Sequence, residues 1–428
     1  MNDFEWGLLG PATLAGMRRT RTLGVGGAVR RFNDLAVPGM GGVWFGMQLV
    51  LATLGVAVAE KARSHGTRAQ NIETANAIEA LGCWFAFEGN GWTRDSRLRG
   101  VNKLRTRGEN LEFARVRQRN FYVTQPMRMA TVQALPALGL VATRGGRFNG
   151  FSLSSAGEGM VKSASKDYRP YRRDLEDHLM KWVSEPATPL NSPELAEAIK
   201  PVRELPGNTR SLLRERILQG GQESASDTER RRRALHWMEE IRSQAGAPGG
   251  WERKPGVLAD DHWADLRAGA RFFAARDAAT RVLDVMESHM SNQGAGNAYA
   301  LTQGAPEAAM APLAELRKLA ERFLDTGHGD REARAMCEEC VQSDPAAVLR
   351  SLGGRDGRVI RLAGDELRPG PAFRGGSQTL VAQEGVVPEA LTLPKGISSR
   401  MHNLYLLNLD LHGELGQWLV RNAEEVIQ

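Results

Sequence analysis

The stretch MATVQALPALGLVATRGGRFNGFSLSSAGEGMV, residues 129–161, combines an apolar helical pattern, a turn rich in Gly and Arg, and a new helix start. Leu135 and Leu138 are three residues apart, which places both on one buried helical face. Gly139 suits the left-handed residue that closes a helix, because glycine has no side chain to clash. Phe151 and Leu153 alternate with serine, as in a short strand. The pattern predicts a helix, a β-hairpin and a further helix.

A basic helix and a turn precede this stretch in RVRQRNFYVTQP, residues 115–126. Pro126 is well placed at a helix start, where the missing N–H of proline is not needed. The helix that follows runs through Leu138 and contains Pro136. Because a proline removes an N–H and clashes with the preceding turn, we expect Pro136 to disturb this helix.

Helix, turn, helix and hairpin is the order of the winged helix-turn-helix. Residues 105–165 resemble that family in the helix end LGLV at 138–141, the basic wing at 144–149, and the S-x-x-G helix start at 154–157. In this family the second helix of the motif enters the major groove, and the wing contacts phosphates or the minor groove. The resemblance implies that the bases are contacted by Gln125, Arg128, Met129 and Gln133, that Arg144, Arg147 and Asn149 lie on the wing, and that Arg115, Arg117 and Arg119 contact phosphates from the flank.

Charge is concentrated around the same motif. Residues 94–173 contain 17 Lys or Arg against 5 Asp or Glu, a net charge of +12 in a chain whose total is +6. The rest of the chain therefore carries −6. Clustered Lys and Arg favour phosphate binding, because each neutralised phosphate releases counterions. Double-stranded DNA is the expected partner.

The whole-chain composition predicts a mainly α, multi-domain globular protein. The chain has 428 residues, of which 42% are apolar and 25% are charged. Three cysteines are too few for a disulfide framework, and acidic residues stand where an export signal would be basic, so we expect a cytoplasmic protein. Residues 35–59 carry no charge, but Pro38 and four glycines crowd their first half. This favours a buried core helix over a membrane span.

Helices are predicted at 43–63, 68–87, 257–291 and 306–325, and a further helix is predicted near Ser226 with Glu229 in capping-box spacing. Composition shifts suggest an N-terminal helical domain (1–100), the winged-helix domain (101–168), a linker and helical region (169–256), a helical domain (257–352) and a Gly- and Pro-rich segment with a C-terminal helix (353–428). An irregular or β segment is expected near 353–395, with β-like runs at 358–362 and 379–383.

Other motifs do not define a reaction. LGVGGAVRR at 23–31 lacks the Gly-Lys-Ser/Thr of a phosphate-binding loop and favours a turn. Cys337 and Cys340, even with His328, lack a fourth soft ligand for zinc. RRRR at 230–233 is typical of a solvated helix face. DDHWAD at 260–265, His289, and His402 with Asp410 and His412 form no recognisable catalytic spacing.

The leading hypothesis is a DNA-binding component of a larger bacterial DNA-handling assembly, in genome maintenance or phage defence. Long amphipathic helices offer surfaces for protein partners or self-association. One alternative is a helical scaffold whose winged helix docks protein. A second is an enzyme with a dispersed site in the C-terminal half. No cofactor, metal or membrane partner is predicted.

Overall fold

The computed structural model describes residue 21 and residues 23–108, 110–243, 250–292, 297–375 and 393–425. The helices are α1 (Gly26–Ala36), α2 (Gly46–Ser64), α3 (Asn71–Gly89), α4 (Val101–Arg107), α5 (Phe113–Val116), α6 (Arg128–Thr131), α7 (Ala134–Ala137), α8 (Ser155–Ser165), α9 (Leu175–Ser184), α10 (Pro193–Ile199), α11 (Gly207–Gln219), α12 (Ala225–Ser243), α13 (Asp260–Ser291), α14 (Glu307–Leu324), α15 (Arg331–Cys340), α16 (Pro345–Asp356), α17 (Ser399–Leu411) and α18 (Leu415–Glu425). The strands are β1 (Val141–Thr143), β2 (Phe151–Leu153), β3 (Tyr299–Ala300), β4 (Ile360–Ala363) and β5 (Glu366–Pro369).

The prediction of a mainly helical protein is confirmed. Strands β1 and β2 form an antiparallel hairpin, and β3, β5 and β4 form a second small antiparallel sheet in that order. The β-like run predicted at 358–362 overlaps β4, whereas the run at 379–383 lies outside the described residues. The longer predicted helices correspond to α2, α3, α13 and α14 within a few residues at each end.

The described residues divide into two compact units. The first comprises those of Met1–Arg31 and Arg267–Val381, and the second comprises those of Phe32–Leu266 and Ala382–Gln428. The whole winged-helix candidate lies in the second unit, together with helices α2 and α3. The finer division into five segments stays a prediction.

Helix α2 is the centre of the second unit. Every residue from Gly46 to Ala59 is buried, so the uncharged stretch seen in the sequence forms a core helix, as predicted. Among the helices that the structure describes, none combines the length and apolar character needed to cross a membrane. Small residues let α3 pack closely on α2, since a Cβ at Gly55 would lie 2.4 Å from that of Ala75.

The four arginines at 230–233 lie on α12 of the second unit, and all are paired. Arg230 forms ion pairs with Asp261 and Asp265, both at 2.7 Å. Arg231 is fully buried and forms an ion pair with Glu223. Arg232 and Arg233 both form ion pairs with Glu229. Their side chains are 44% and 40% exposed, respectively. The prediction that residues 230–233 form a solvated helix face is therefore correct only for Arg232 and Arg233.

Helix α12 begins two residues earlier than the expected capping box implies. Ser224, not Ser226, caps it, because the Asp227 N–H donates to the Ser224 hydroxyl over 3.0 Å. Ser226 lies inside the first turn. Each serine is followed three residues later by an acidic residue, Asp227 or Glu229, as in a capping box. The local sequence therefore did not show which serine caps the helix.

The first unit is organised around a buried arginine. The Arg21 guanidinium forms ion pairs of 2.7 Å with Glu287 and 2.8 Å with Asp356, whose side chains are both fully buried. Asp356 also accepts the N–H of Ile360 over 3.0 Å, which ties the end of α16 to the start of β4. Burying a charge requires such pairing, so these groups hold the helices to the sheet.

The turn predicted for the Gly-rich stretch 23–31 is limited to its start at residues 23–24, because α1 begins at Gly26. The Glu332 carboxylate accepts the N–H of Ala28 over 2.6 Å at the start of the helix. A Cβ at Gly27 would lie 2.3 Å from the same carboxylate. An acidic side chain of the first unit therefore lies where a phosphate-binding loop would hold its anion.

Candidate nucleic-acid interface

The second helix of the motif follows a helical path with an interrupted hydrogen-bond pattern. Helices α6 and α7 are separated by Val132 and Gln133, which keep helical dihedrals of φ −55°, ψ −38° and φ −79°, ψ −38°. Pro136 has no N–H to donate to the carbonyl of Val132, so the ladder breaks where the sequence predicted a disturbance. The chain continues in helical geometry to Leu138.

The helix end and the hairpin follow the sequence pattern closely. Gly139 has a left-handed φ of +68°, and the Leu140 N–H donates to the Leu135 carbonyl over 2.9 Å. Both Leu135 and Leu138 are fully buried. Ser154 caps α8 by accepting the Gly157 N–H over 3.0 Å. These local predictions are confirmed, and a helix, a hairpin and a helix occur in the predicted order. The basic helix expected before them is not formed as predicted, because α5 ends at Val116.

Glu79 on α3 fixes the start of the second helix. Its buried carboxylate accepts the Tyr122 hydroxyl and the N–H groups of Met127, at 2.5 Å, and Arg128, at 3.1 Å. Burial raises the pKa of Glu79, and these three donors oppose that shift. A lone acidic residue in the apolar run AIEALGCWF was the available sequence signal for this buried role, and sequence reasoning missed it.

The hairpin packs against the beginning of α3. The side-chain carbonyl of Asn149 accepts the N–H of Ile72 over 2.9 Å, and its amide donates to Gln70 over 3.2 Å. In return, the Asn71 amide donates to the carbonyls of Phe148, at 3.1 Å, and Phe151, at 2.8 Å. Asn149, predicted to contact DNA from the wing, thus caps a helix of its own chain.

Two of the four predicted base-facing residues have their polar groups engaged within the chain. Arg128 Nε donates to Asn76 over 2.6 Å, and its guanidinium lies 5.3 Å from the centre of the Phe148 ring. Burial lowers the pKa of Arg128. Gln133 Oε1 accepts from Arg400 over 2.8 Å. Met129, by contrast, is 51% exposed.

Gln125, the fourth predicted base-facing residue, is exposed and precedes the helix. Its backbone carbonyl accepts from the Arg99 guanidinium over 2.7 Å. This bond ties the turn before the second helix to the segment that leads into α4.

The three predicted flanking arginines differ in their partners. Arg115 donates to the carbonyl of Arg107 over 2.8 Å and is half-buried. Arg117 forms a 2.8 Å ion pair with Glu73 on α3. Arg119 is exposed, and its side chain makes no hydrogen bond or ion pair with any residue that the structure describes. Among these three, Arg119 is the one whose charge is available to a ligand.

The turn of the hairpin presents two arginines to solvent. Gly145 and Gly146 separate them and have φ values of +89° and +69°, which glycine adopts without strain. Arg144 and Arg147 are exposed and have no hydrogen-bond or ion-pair partner within the described ranges. Their flexible side chains therefore extend from a turn whose C-terminal end, residues 148–151, is held on α3.

Further exposed cations lie in the same segment of the chain. Nine Lys and Arg side chains of residues 94–173 are exposed and have no acidic or hydrogen-bonding partner in the described part of the chain. We call these nine residues the basic surface. They are Arg94, Lys103, Arg105, Arg119, Arg144, Arg147, Lys166, Arg172 and Arg173. Eight other basic residues of this segment are bonded internally, so the sequence count overstates the available charge.

The thiols of Cys337 and Cys340, which the sequence does not predict to bind a metal, are buried. Burial raises the pKa of Cys337 and of Cys340 to about 12, and free thiols with such values are poor nucleophiles and ligands. Within the described residues, no group of three or more His, Cys, Asp or Glu side chains is arranged to hold a metal ion.

The dispersed acid–base candidates have structural contacts in the second unit. Asp410 accepts the Gly46 N–H at the start of α2 over 2.7 Å, and burial raises its pKa to about 6. His262 Nε2 lies 2.9 Å from the carbonyl of Ala36. These contacts account for the burial of both groups.

Comparison with known proteins adds no family to these observations. No protein-family model matches the chain, and no curated protein or solved structure is significantly similar to it.

Proposed function

We propose that this protein binds double-stranded DNA through the basic surface, with Arg144 and Arg147 of the hairpin turn as central contacts. The observation that carries the proposal is a set of nine exposed cations within residues 94–173 that have no partner among the residues the structure describes. Arginine supplies most of them, and its guanidinium binds phosphate oxygens in a bidentate fashion. The wider role in a bacterial DNA-handling assembly remains part of this proposal.

The way the hairpin is anchored supports this role. Asn149 and Asn71 bond residues 148–151, where the turn leads into β2, to the start of α3, as described above. The turn itself is open, since a Cβ at Gly145 or Gly146 would have no neighbour within 4 Å. Two exposed arginines that have no partner among the described residues, next to an anchored end of the turn, suit contact with a DNA backbone, because phosphates lie at regular intervals along it.

A salt titration tests the proposal. The dissociation constant for a duplex is measured by fluorescence anisotropy at increasing NaCl concentrations, for the natural protein and for the Arg144→Ala/Arg147→Ala variant. Each phosphate contact contributes about 0.9 to the slope of log K against log salt, so the variant should lower the slope by about 2. Its affinity at low salt should also fall.

The matched control is Arg232→Ala/Arg233→Ala. It removes the same charge from α12, where both arginines pair with Glu229. We expect the slope to be unchanged in this variant. A hairpin variant that keeps the full slope, or a natural protein that binds no duplex at low salt, would contradict the proposal and favour the protein-docking scaffold.

A further inference from the structure

We infer that the basic surface takes duplex DNA without distinguishing its base sequence. This rests on the proposed function and specifies its ligand. Direct base recognition requires donors and acceptors on the inserted helix that are free to meet the edges of the bases. The second helix of the motif does not present such a set.

Arg128 is the first residue whose contacts within the chain keep it from the bases. Base recognition by arginine uses two N–H groups of its guanidinium on one guanine. Here Nε is engaged with Asn76 over 2.6 Å, and the guanidinium stacks near Phe148, so the side chain lies along α3 and the hairpin. Turning Arg128 outward would break these contacts and leave the Asn76 carbonyl without this donor.

Gln133 is held in a different way. Its Oε1 accepts from Arg400, and Arg400 is itself bonded to the Asp34 carboxylate and lies 3.4 Å from the Val37 carbonyl. A glutamine recognises adenine by using its carbonyl and its amide together. With the carbonyl engaged by an anchored arginine, Gln133 lacks the bidentate geometry that this contact needs.

The rest of the helix offers no replacement. Met129 is exposed but carries only a thioether, which is a weak acceptor. Thr131, Ala134, Leu135, Ala137 and Leu138 are buried. The described residues of this helix therefore leave no free pair of base-reading groups, so we assign the DNA contacts to the cations of the basic surface, and contacts from cations to phosphates carry no sequence information.

The test measures the spread of affinities. Duplexes of equal length and base composition but scrambled sequence are compared at one salt concentration, and a pool of random duplexes is carried through repeated selection on the protein. We expect dissociation constants within about threefold of each other and no enriched motif. A single mismatched base pair in a specific site changes affinity by about fivefold or more.

A Met129→Ala/Gln133→Ala variant provides the matching test at the protein, after its fold is checked by circular dichroism. We expect its affinity for every duplex to stay within about twofold of the natural protein. An enriched motif bound more than about tenfold tighter, or a loss confined to one sequence in the variant, overturns the inference and leaves DNA binding in place. Failure to bind any duplex at low salt overturns both.

Discussion

Replacing Arg231 with methionine should destabilise the second unit strongly. The side chain is fully buried on α12 and binds both oxygens of Glu223 through its two terminal nitrogens. Its Nε also donates to the carbonyl of Ile217 over 2.9 Å, and Nη1 donates to that of Pro38 over 3.2 Å. Four polar atoms therefore depend on this one guanidinium.

The size of the effect follows from what methionine leaves behind. Removing one partner of a buried ion pair costs about 3–5 kcal/mol, because the other charge stays buried without compensation. Methionine keeps much of the packing of the aliphatic stem, so the loss reports mainly on the polar contacts. We expect the free energy of unfolding to fall by about 3–5 kcal/mol, a large share of the total that a typical domain has.

Urea unfolding followed by tryptophan fluorescence measures this loss. Trp237 and Trp263 of the second unit lie 6.0 Å apart and give a local signal. The control is Arg232→Met on the same helix, where the side chain is 44% exposed. Exposed ion pairs contribute little, so the control should change the free energy of unfolding by less than about 1 kcal/mol.

A double variant, Arg231→Met with Glu223→Leu, separates the charge from the packing. Replacing a whole buried ion pair with apolar groups is often close to neutral, so the second change should restore most of the stability. The reasoning is refuted if Arg231→Met costs less than about 1 kcal/mol, or if the control is as costly as the test.

Two further measurements address the helix end and a buried histidine. Gly139→Ala should lower the free energy of unfolding in urea by at least about 1–2 kcal/mol, since φ is +68° and the new methyl would lie 2.6 Å from Arg216 Nη2. The control Gly145→Ala should lower it by less, because its methyl would meet no neighbour within 4 Å. Burial lowers the pKa of His262 below its ordinary 6.5, so the unfolded chain binds the proton more readily than the folded protein does. The stability that the neutral His262 side chain contributes is therefore complete above pH 6.5 and is lost as the pH falls below that value. Unfolding free energies measured across this range should fall less steeply for His262→Gln, and an identical pH dependence would contradict the assignment.

Local chemistry explains which parts of the candidate site were predictable. Gly139 and the Ser154–Gly157 cap depend on residues within a few positions of each other, and both occur as expected. Leu135 and Leu138 follow the helical period. Such signals need no knowledge of the rest of the fold, because the steric and hydrogen-bonding requirements lie in one short segment.

The orientation of the polar side chains was not predictable in the same way. Arg128 meets Asn76, which is 52 positions away, and Gln133 meets Arg400, which is 267 positions away. Pairings at such separations depend on how α2, α3 and α17 pack, which no local pattern encodes. The same holds for Asn149, whose amide caps α3.

The two arginine-rich motifs show why available charge differs from counted charge. RRRR at 230–233 has the denser sequence, yet its arginines meet carboxylates from α12, α13 and the α11–α12 loop. RGGR at 144–147 has half as many arginines on an open turn, and both remain unpaired among the described residues. A DNA phosphate binds an unpaired cation most readily, because a paired cation must first give up its carboxylate. If all nine cations of the basic surface contact phosphates, the salt slope is about 8.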